Sequence, residues 1–164
     1  MLEIMVVLAI MAVLAGIAMP SYKSMIEDNQ LISDTEKTRG FLTYARSESV
    51  RNNSDISLNF DTGSSWCIGL SDSGVCDCNS ADSCTIAGVE KILESNIDSD
   101  ISLSLGGNIS GTNFDPQRGT LEKTGVPTTG SVSFTKDSRS TTISLNILGR
   151  TDTCSDTIKH YESC

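Results

Sequence analysis

The stretch Met1-Leu2-Glu3-Ile4-Met5-Val6-Val7-Leu8-Ala9-Ile10-Met11-Ala12-Val13-Leu14-Ala15-Gly16-Ile17-Ala18-Met19-Pro20 opens the chain and decides its fold. It is an apolar run interrupted by one acid, Glu3. The 16 residues from Ile4 to Met19 carry no charge. A helix of this length spans roughly 25 Å, near the minimum for a bilayer core of about 30 Å. A carboxylate inside such a segment is costly, so we expect it to have a partner and a function.

A cleaved secretory signal is a competing interpretation of the apolar run. It requires basic residues before the run and small residues at a cleavage site. No Lys or Arg precedes the run, and Pro20-Ser21-Tyr22 follows it directly. A plain signal anchor does not explain an acid at the lipid face. We therefore interpret residues 1–20 as the transmembrane half of a helix.

Gly16 and Pro20 predict a kink in a helix that continues beyond the apolar run. Proline removes a backbone donor and clashes with the preceding turn, while glycine adds conformational freedom. The alternative is a helix that ends at Pro20. The next 30 residues argue against that alternative, because no further proline occurs from Ser21 to Asn52.

Residues 21–53 carry the pattern of an amphipathic helix half. Apolar or small residues recur every three or four positions, as on one face of a helix. They are Leu31, Thr35, Thr38, Leu42, Ala45 and Ser49, widened by Ile32, Phe41 and Val50. The charged residues lie largely off this stripe: Asp34, Glu36, Lys37, Arg39, Glu48 and Arg51. Asn52-Asn53-Ser54-Asp55 then ends the helix.

Residues 54–164 predict a β-rich globular domain. Alternation of apolar and polar residues marks strands at 56–60, 101–105, 131–135 and 141–147, with a return strand at 66–70. The last two strands form a hairpin across residues 136–140. The turn-rich link Phe114-Asp115-Pro116 with Gly119 precedes that hairpin. We expect one antiparallel sheet whose apolar face covers the helix stripe, which gives an α+β fold class.

Six cysteines indicate disulfides in an exported domain. They are Cys67, Cys76, Cys78, Cys84, Cys154 and Cys164. Their spacing lacks the paired C-x2-C knuckles of zinc sites, and the single histidine, His160, lies far along the chain. We predict a Cys154–Cys164 bridge that fastens the C-terminus. The other four cysteines allow three pairings, of which Cys76–Cys78 is disfavoured by disulfide geometry.

Charge and composition argue against two classes of function. The formal net charge of −9 disfavours nucleic acid as a partner, because phosphate contacts need clustered cations. One histidine and no recognisable Ser/His/Asp arrangement argue against an enzyme, and no cofactor or metal site is expected. A structural or binding role is left.

The N-terminal half resembles the type IV pilin family, including the pseudopilins of type II secretion. The resemblance rests on the run Glu3 to Ile10, on Pro20-Ser21-Tyr22 and on the spacing from Glu3 to Pro20. The stretch Ala45–Asn52, the Phe114-Asp115-Pro116 link with Gly119, and Leu145–Arg150 are similar to FimT/GspH-like minor pilins. The Cys-rich middle of the chain matches no motif of the family.

The resemblance implies a pilin fold: a long N-terminal helix, apolar and kinked near Pro20, packed on a C-terminal antiparallel β-sheet domain. It implies a single-pass protein of the bacterial inner membrane with a periplasmic domain, which pilus-assembly machinery packs with other pilin subunits, major or minor, into an extracellular fibre. Such fibres serve cell adhesion and twitching motility. Glu3, Gly16 and Pro20 would act in assembly, and Glu3 would pair with the N-terminal amine of a neighbouring subunit.

The sequence departs from the family pattern at two places. Precursors in the family carry a short basic leader that prepilin peptidase removes, after which the new N-terminus is methylated. Only Met1 and Leu2 precede Glu3 here, so we expect that residue 1 is not the N-terminus that processing creates. Some FimT-like proteins bind DNA through a C-terminal Gly-Arg-x-Arg. Here Gly149-Arg150-Thr151-Asp152 places an acid at the second basic position, so Arg150 is a weak candidate for DNA binding.

Overall fold

The structure, a computed structural model, describes residues 2–96 and 100–164, apart from the side chains of residues 2 and 14–21. In these residues one long helix precedes twelve strands. The elements are α1 (Leu2–Asn52), β1 (Ile56–Asp61), β2 (Cys67–Ser71), β3 (Thr85–Ile86), β4 (Val89–Glu90), β5 (Ile92–Glu94), β6 (Ser102–Gly107), β7 (Thr112–Phe114), β8 (Leu121–Lys123), β9 (Val126–Pro127), β10 (Gly130–Lys136), β11 (Arg139–Leu145) and β12 (Thr151–Cys154). We call residues 54–164 the head.

Helix α1 runs through the apolar and the amphipathic segments as one element of 51 residues, about 76 Å long at 1.5 Å per residue. It ends where the sequence predicts. Asn53 takes a left-handed conformation (φ 49°), and the Ser54 N–H donates to the Ser49 carbonyl at 3.2 Å. This pair of features is the usual way to close a helix C-terminus. The kink near Pro20 stays a prediction, because residues 14–21 are described only as part of the helix.

The predicted stripe of α1 faces the sheets. Leu31, Thr35, Thr38, Leu42, Ala45 and Ser49 are all fully buried. They join a core that contains Trp66, Phe114 and Phe134. Two charged residues placed off the stripe are buried as well, with Asp34 only 6% and Glu48 only 5% exposed. The prediction for these two was wrong, because the head covers a wider arc of the helix than the apolar residues alone mark.

The strands form two main sheets rather than the single sheet that the sequence suggests. The first has the order β5-β2-β1-β7-β8-β9 and the second the order β12-β11-β10-β6, while β3 and β4 form a small separate ribbon. All named neighbours are antiparallel. Reciprocal backbone bonds between Gly63 and Leu103, at 3.0 and 2.9 Å, join the β1–β2 turn to the second sheet.

The longer predicted strands are present with the predicted partners. β1 pairs with β2, and β10 pairs with β11 in the register Lys136↔Arg139. The turn of that second hairpin is therefore tighter than predicted and contains only Asp137 and Ser138. Short strands such as β5, β8 and β9 have no alternating pattern and were not predicted.

The buried Asp34 gives a pH-dependent prediction. Burial raises the pKa of Asp34, and the exposed Lys37, whose Nζ lies 3.5 Å from Oδ1, opposes this only in part. A raised pKa means that the folded state binds the proton more tightly than the unfolded state. Wild-type stability should therefore rise as the pH falls from neutrality through the folded pKa, until the unfolded chain is protonated too.

Asp34→Asn should consequently stabilise the protein at neutral pH, and its advantage over wild type should shrink as the pH falls. Urea unfolding at a series of pH values measures both effects. The exposed Asp152→Asn is the matched control and should show neither. Equal stability of Asp34→Asn and wild type at neutral pH would contradict a cost of burying this charge.

Candidate functional site

The first part of α1 presents apolar side chains on every side. The large apolar residues described between positions 4 and 13 are each exposed by half or more, from 50% at Val6 to 73% at Met5. Five consecutive residues already go once around a helix, so the whole circumference is apolar. A surface of this kind marks a site for lipid or for other apolar helices. Within the described residues, no helix meets the length and hydropathy needed to cross a membrane.

Glu3 lies in the first turn of this helix and is exposed. A negative charge here is stabilised by the positive end of the helix dipole. No ion pair in the described part of the chain involves Glu3. Gly16 and Pro20 lie within the bounds of α1, and their role in assembly stays a prediction.

Three motifs that are distant in sequence meet at the far end of α1. The Arg46 Nε–H donates to the Gly119 carbonyl at 3.0 Å. A Cβ on Gly149 would lie 2.5 Å from the Gly119 oxygen, 2.9 Å from Phe114 Cε1 and 3.0 Å from Arg46 Cδ. We call these four residues the junction. It fixes the end of the helix to the turns that follow β7 and β11.

Arg150 follows the junction in an exposed turn. Its backbone N–H donates to Asn146 Oδ1 at 3.0 Å, and its carbonyl accepts from the Asn146 N–H at 3.1 Å. The Leu145–Arg150 stretch therefore has a structural role as the connection from β11 to β12. Arg150 itself is exposed to solvent.

The cysteines form three disulfides, and disulfide formation in the head is thereby confirmed. Cys67 pairs with Cys78 and Cys76 with Cys84, so both bridges hold the loop after β2. Buried Cys67, Cys78 and Cys84 pack with Ile92 as a small satellite core. The two bridges take the place of apolar residues that this polar loop lacks.

The third disulfide joins Cys154 to Cys164 and brings the C-terminus onto α1. Ile158 inside the closed loop is buried, and the Tyr161 hydroxyl donates to Glu36 Oε1 at 3.0 Å. Burial raises the pKa of Tyr161, and the neighbouring Glu36 carboxylate adds to the effect. The hydroxyl therefore remains a donor at all physiological pH values.

Sequence reasoning missed the contacts that join the head to α1. Arg139, at the tip of the β10–β11 hairpin, reaches Glu27 and Asp28 of the helix. The Thr35 and Thr141 hydroxyls share a hydrogen bond of 2.6 Å. The small hydroxyl residues in the stripe were a sequence signal for the Thr35–Thr141 pair, whereas the contact of Arg139 with the helix had no such signal.

This architecture defines the class of protein. A long helix that is apolar and uncovered at its start, and packed on an antiparallel β head along its second half, is the build of a pilin-type subunit. A family model described as type II transport protein GspH matches residues 34–149. The chain belongs to this family, and the predicted kinship with minor pilins and pseudopilins is confirmed.

A solved structure has the same fold. The type IV minor pilin FimU of Pseudomonas aeruginosa (strain PAO1) superposes with a TM-score of 0.55 at 22% identity, over 78% of this chain and 90% of that chain. The likeness confirms the predicted fold class, α+β with a long N-terminal helix on an antiparallel β domain. A search of curated proteins finds no match.

The junction predicts a sharp difference between two glycines. Gly149 and Gly111 have the same φ of +68°, but a Cβ on Gly111 meets nothing within 4 Å. Each change to alanine carries the strain of a left-handed residue, about 1 kcal/mol. Gly149→Ala must in addition displace the Gly119 backbone, so we expect it to cost about 2 kcal/mol more than Gly111→Ala.

Urea unfolding of the two variants measures this difference. Gly40→Ala serves as a further control, since Gly40 is an exposed helical residue with open space around it. It should stabilise by about 1 kcal/mol. Similar losses for Gly149→Ala and Gly111→Ala would mean that the junction is not closely packed in solution.

Proposed function

We propose that this protein is a minor pilin of a type IV pilus. The apolar half of α1 holds it in the inner membrane, and the same surface later packs against the helices of other pilin subunits in the fibre. The observation that carries this proposal is the uncovered apolar circumference of residues 4–13, next to a head that is complete without it. Transfer from lipid to a bundle of apolar helices costs little, because both surroundings are apolar.

Glu3 supplies the directional contact in this proposal. Its carboxylate pairs with the N-terminal amine of a neighbouring subunit inside the apolar bundle. At about 4 Å and an effective dielectric constant near 20, such a pair is worth on the order of 4 kcal/mol before desolvation. Since desolvation offsets much of this, the pair sets the register between subunits more than it stabilises the fibre.

Glu3→Ala tests the pairing. The variant should enter the membrane as wild type does, because its apolar run is lengthened, but its amount in sheared fibres should fall about tenfold or more. Quantitative mass spectrometry of sheared fibres and of membranes gives both numbers. Glu94→Ala, an exposed acid of the head, is the matched control and should leave both unchanged. Wild-type amounts of Glu3→Ala in the fibres would rule out the pairing role.

An H-type pseudopilin of type II secretion is the alternative within the same class. The family description, a type II transport protein, favours it. The two functions differ in the fibre that contains the protein. Deletion of a minor pilin removes surface pili, whereas deletion of a pseudopilin leaves the pili and retains exported enzymes in the periplasm. Pilus-assembly or secretion genes beside the gene would point the same way.

A pilus-borne subunit that binds DNA or a surface ligand is a second candidate function. Residues 53–100 hold nine acidic residues against one lysine, whereas residues 101–164 hold six of each sign. Most of the negative charge is therefore remote in sequence from Arg150, and Arg46 and Arg118 lie at or beside the junction that precedes it. The three cations Arg46, Arg118 and Arg150 are what supports an anionic ligand at that end.

Arg150→Ala tests the DNA-binding candidate. If Arg150 contacts phosphate, duplex DNA should bind wild type with a salt-dependent affinity, and the variant should lower the slope of that salt dependence by about one. Lys159→Ala, another exposed cation of the C-terminal region, is the control. Equal slopes for wild type and Arg150→Ala remove Arg150 from any such site.

A further inference from the structure

The described contacts that hold the segment of α1 between the apolar half and the head are polar. We call residues 22–30 the stem. It precedes Leu31, the first fully buried residue among the helix side chains that the structure describes, and it extends for about 13 Å. Its large apolar side chains are exposed: Tyr22 by 68%, Met25 by 63% and Ile26 by 40%. Apolar burial therefore does little to keep the stem helical, although burial of an apolar face is what stabilises most helices in proteins.

The tip of the β10–β11 hairpin contacts one face of the stem. Arg139 donates to Glu27 Oε2 at 2.5 Å and to Ser24 Oγ at 3.0 Å, and its Nε lies 3.1 Å from Asp28 Oδ1. Ser24, Glu27 and Asp28 have the spacing of a single helix face, so one guanidinium reaches all three. Lys136, the cross-strand partner of Arg139, donates to Gln30 Oε1 at 2.8 Å. We call Arg139 and Lys136 with these four stem residues the latch.

The charges of the latch favour the contact between the hairpin tip and the stem. The side chains of Arg139 and Glu27 are only 24% and 15% exposed, which weakens screening by solvent. The hydrogen bond from Arg139 lowers the pKa of Glu27, and Lys23, at 3.6 Å, acts in the same direction. A planar guanidinium that bonds several oxygens at once gives both strength and orientation. The turn of the hairpin contains only two residues, so Lys136 and Arg139 lie side by side at its tip.

We propose that the latch is a conformational device that sets the direction in which α1 leaves the head and keeps the stem helical. Closed, it continues the rigid helix from the head to the apolar half. Open, it frees the stem to bend or lose its helical bonds, while the head stays folded around the stripe from Leu31 onwards. A latch that opens would give the subunit a movable connection between its membrane segment and its head. This consequence rests on the proposed function. The state of the latch itself does not depend on that function.

Hydrogen exchange of the full chain in detergent micelles tests the latch. Arg139→Gln removes the charge and the fork, so exchange in residues 22–30 should become about fivefold faster, with no change in the core strands β1, β10 and β11. Arg139→Lys keeps the positive charge but not the forked guanidinium, so its exchange rate in residues 22–30 should lie between those of wild type and Arg139→Gln.

Two further variants keep the test decisive. Glu27→Gln breaks the same contact from the helix side and should reproduce the local effect, which covers the case in which Arg139→Gln does not fold. Arg118→Gln, an exposed arginine in no described ion pair, should change nothing in the stem. Unchanged stem exchange in Arg139→Gln and Glu27→Gln would overturn the proposal. Faster exchange spread evenly over the head would overturn it too, since Arg139 would then stabilise the head rather than the stem.

Discussion

One helix must satisfy two different surroundings, and the rest of the structure follows from that constraint. From Leu31 to Ser49, α1 hides a single stripe beneath the sheets and leaves the opposite face to solvent. From Ile4 to Val13 it has no covered face at all. Exposed apolar area of this extent is unfavourable in water, so the first half requires lipid or other helices. The head requires neither, because its own core is closed by the stripe.

Small polar residues in the stripe let the sheets approach α1 closely. Thr35, Thr38 and Ser49 are fully buried, and two of them satisfy their hydroxyls: Thr35 with Leu31 and Thr141, and Ser49 with the Arg46 carbonyl. Glycine serves the same purpose at the junction, where any side chain on Gly149 would meet the Gly119 backbone. The aromatic residues are few but central, as Trp66 and Phe134 meet edge to face with ring centres 5.1 Å apart. Close backbone approach thus supplies contact that a larger apolar core would otherwise provide.

The sequence alone predicted the features that repeat with a period. A pattern can be recognised where an element is long enough to repeat it. This holds for the stripe of α1, for the β1–β2 pair and for the β10–β11 hairpin. Strands of two or three residues, such as β5 and β9, offer no period, and their pairing is decided by neighbours far away in sequence. The pairing of Cys67 with Cys78 and the contact of Arg139 with Glu27 depend in the same way on where the chain returns. Asp34 was misplaced because periodicity marks the centre of a buried arc but not its edges.

The contacts along α1 also explain why a small head can hold so long a helix. Side chains of α1 are tied to the head at several points along the helix: Glu27 to Arg139 and Thr35 to Thr141, both on β11, Glu36 to Tyr161, and Arg46 to Gly119. The two sheets and the disulfide-closed C-terminus therefore each grip the helix. In the proposed function a subunit is drawn out of the membrane and into a fibre, and force along α1 would be shared among these ties rather than concentrated on one. The tie at Glu27 differs from the others because, among the side chains that the structure describes, no buried apolar residue of α1 precedes it, so it is the one that can open without unfolding the head.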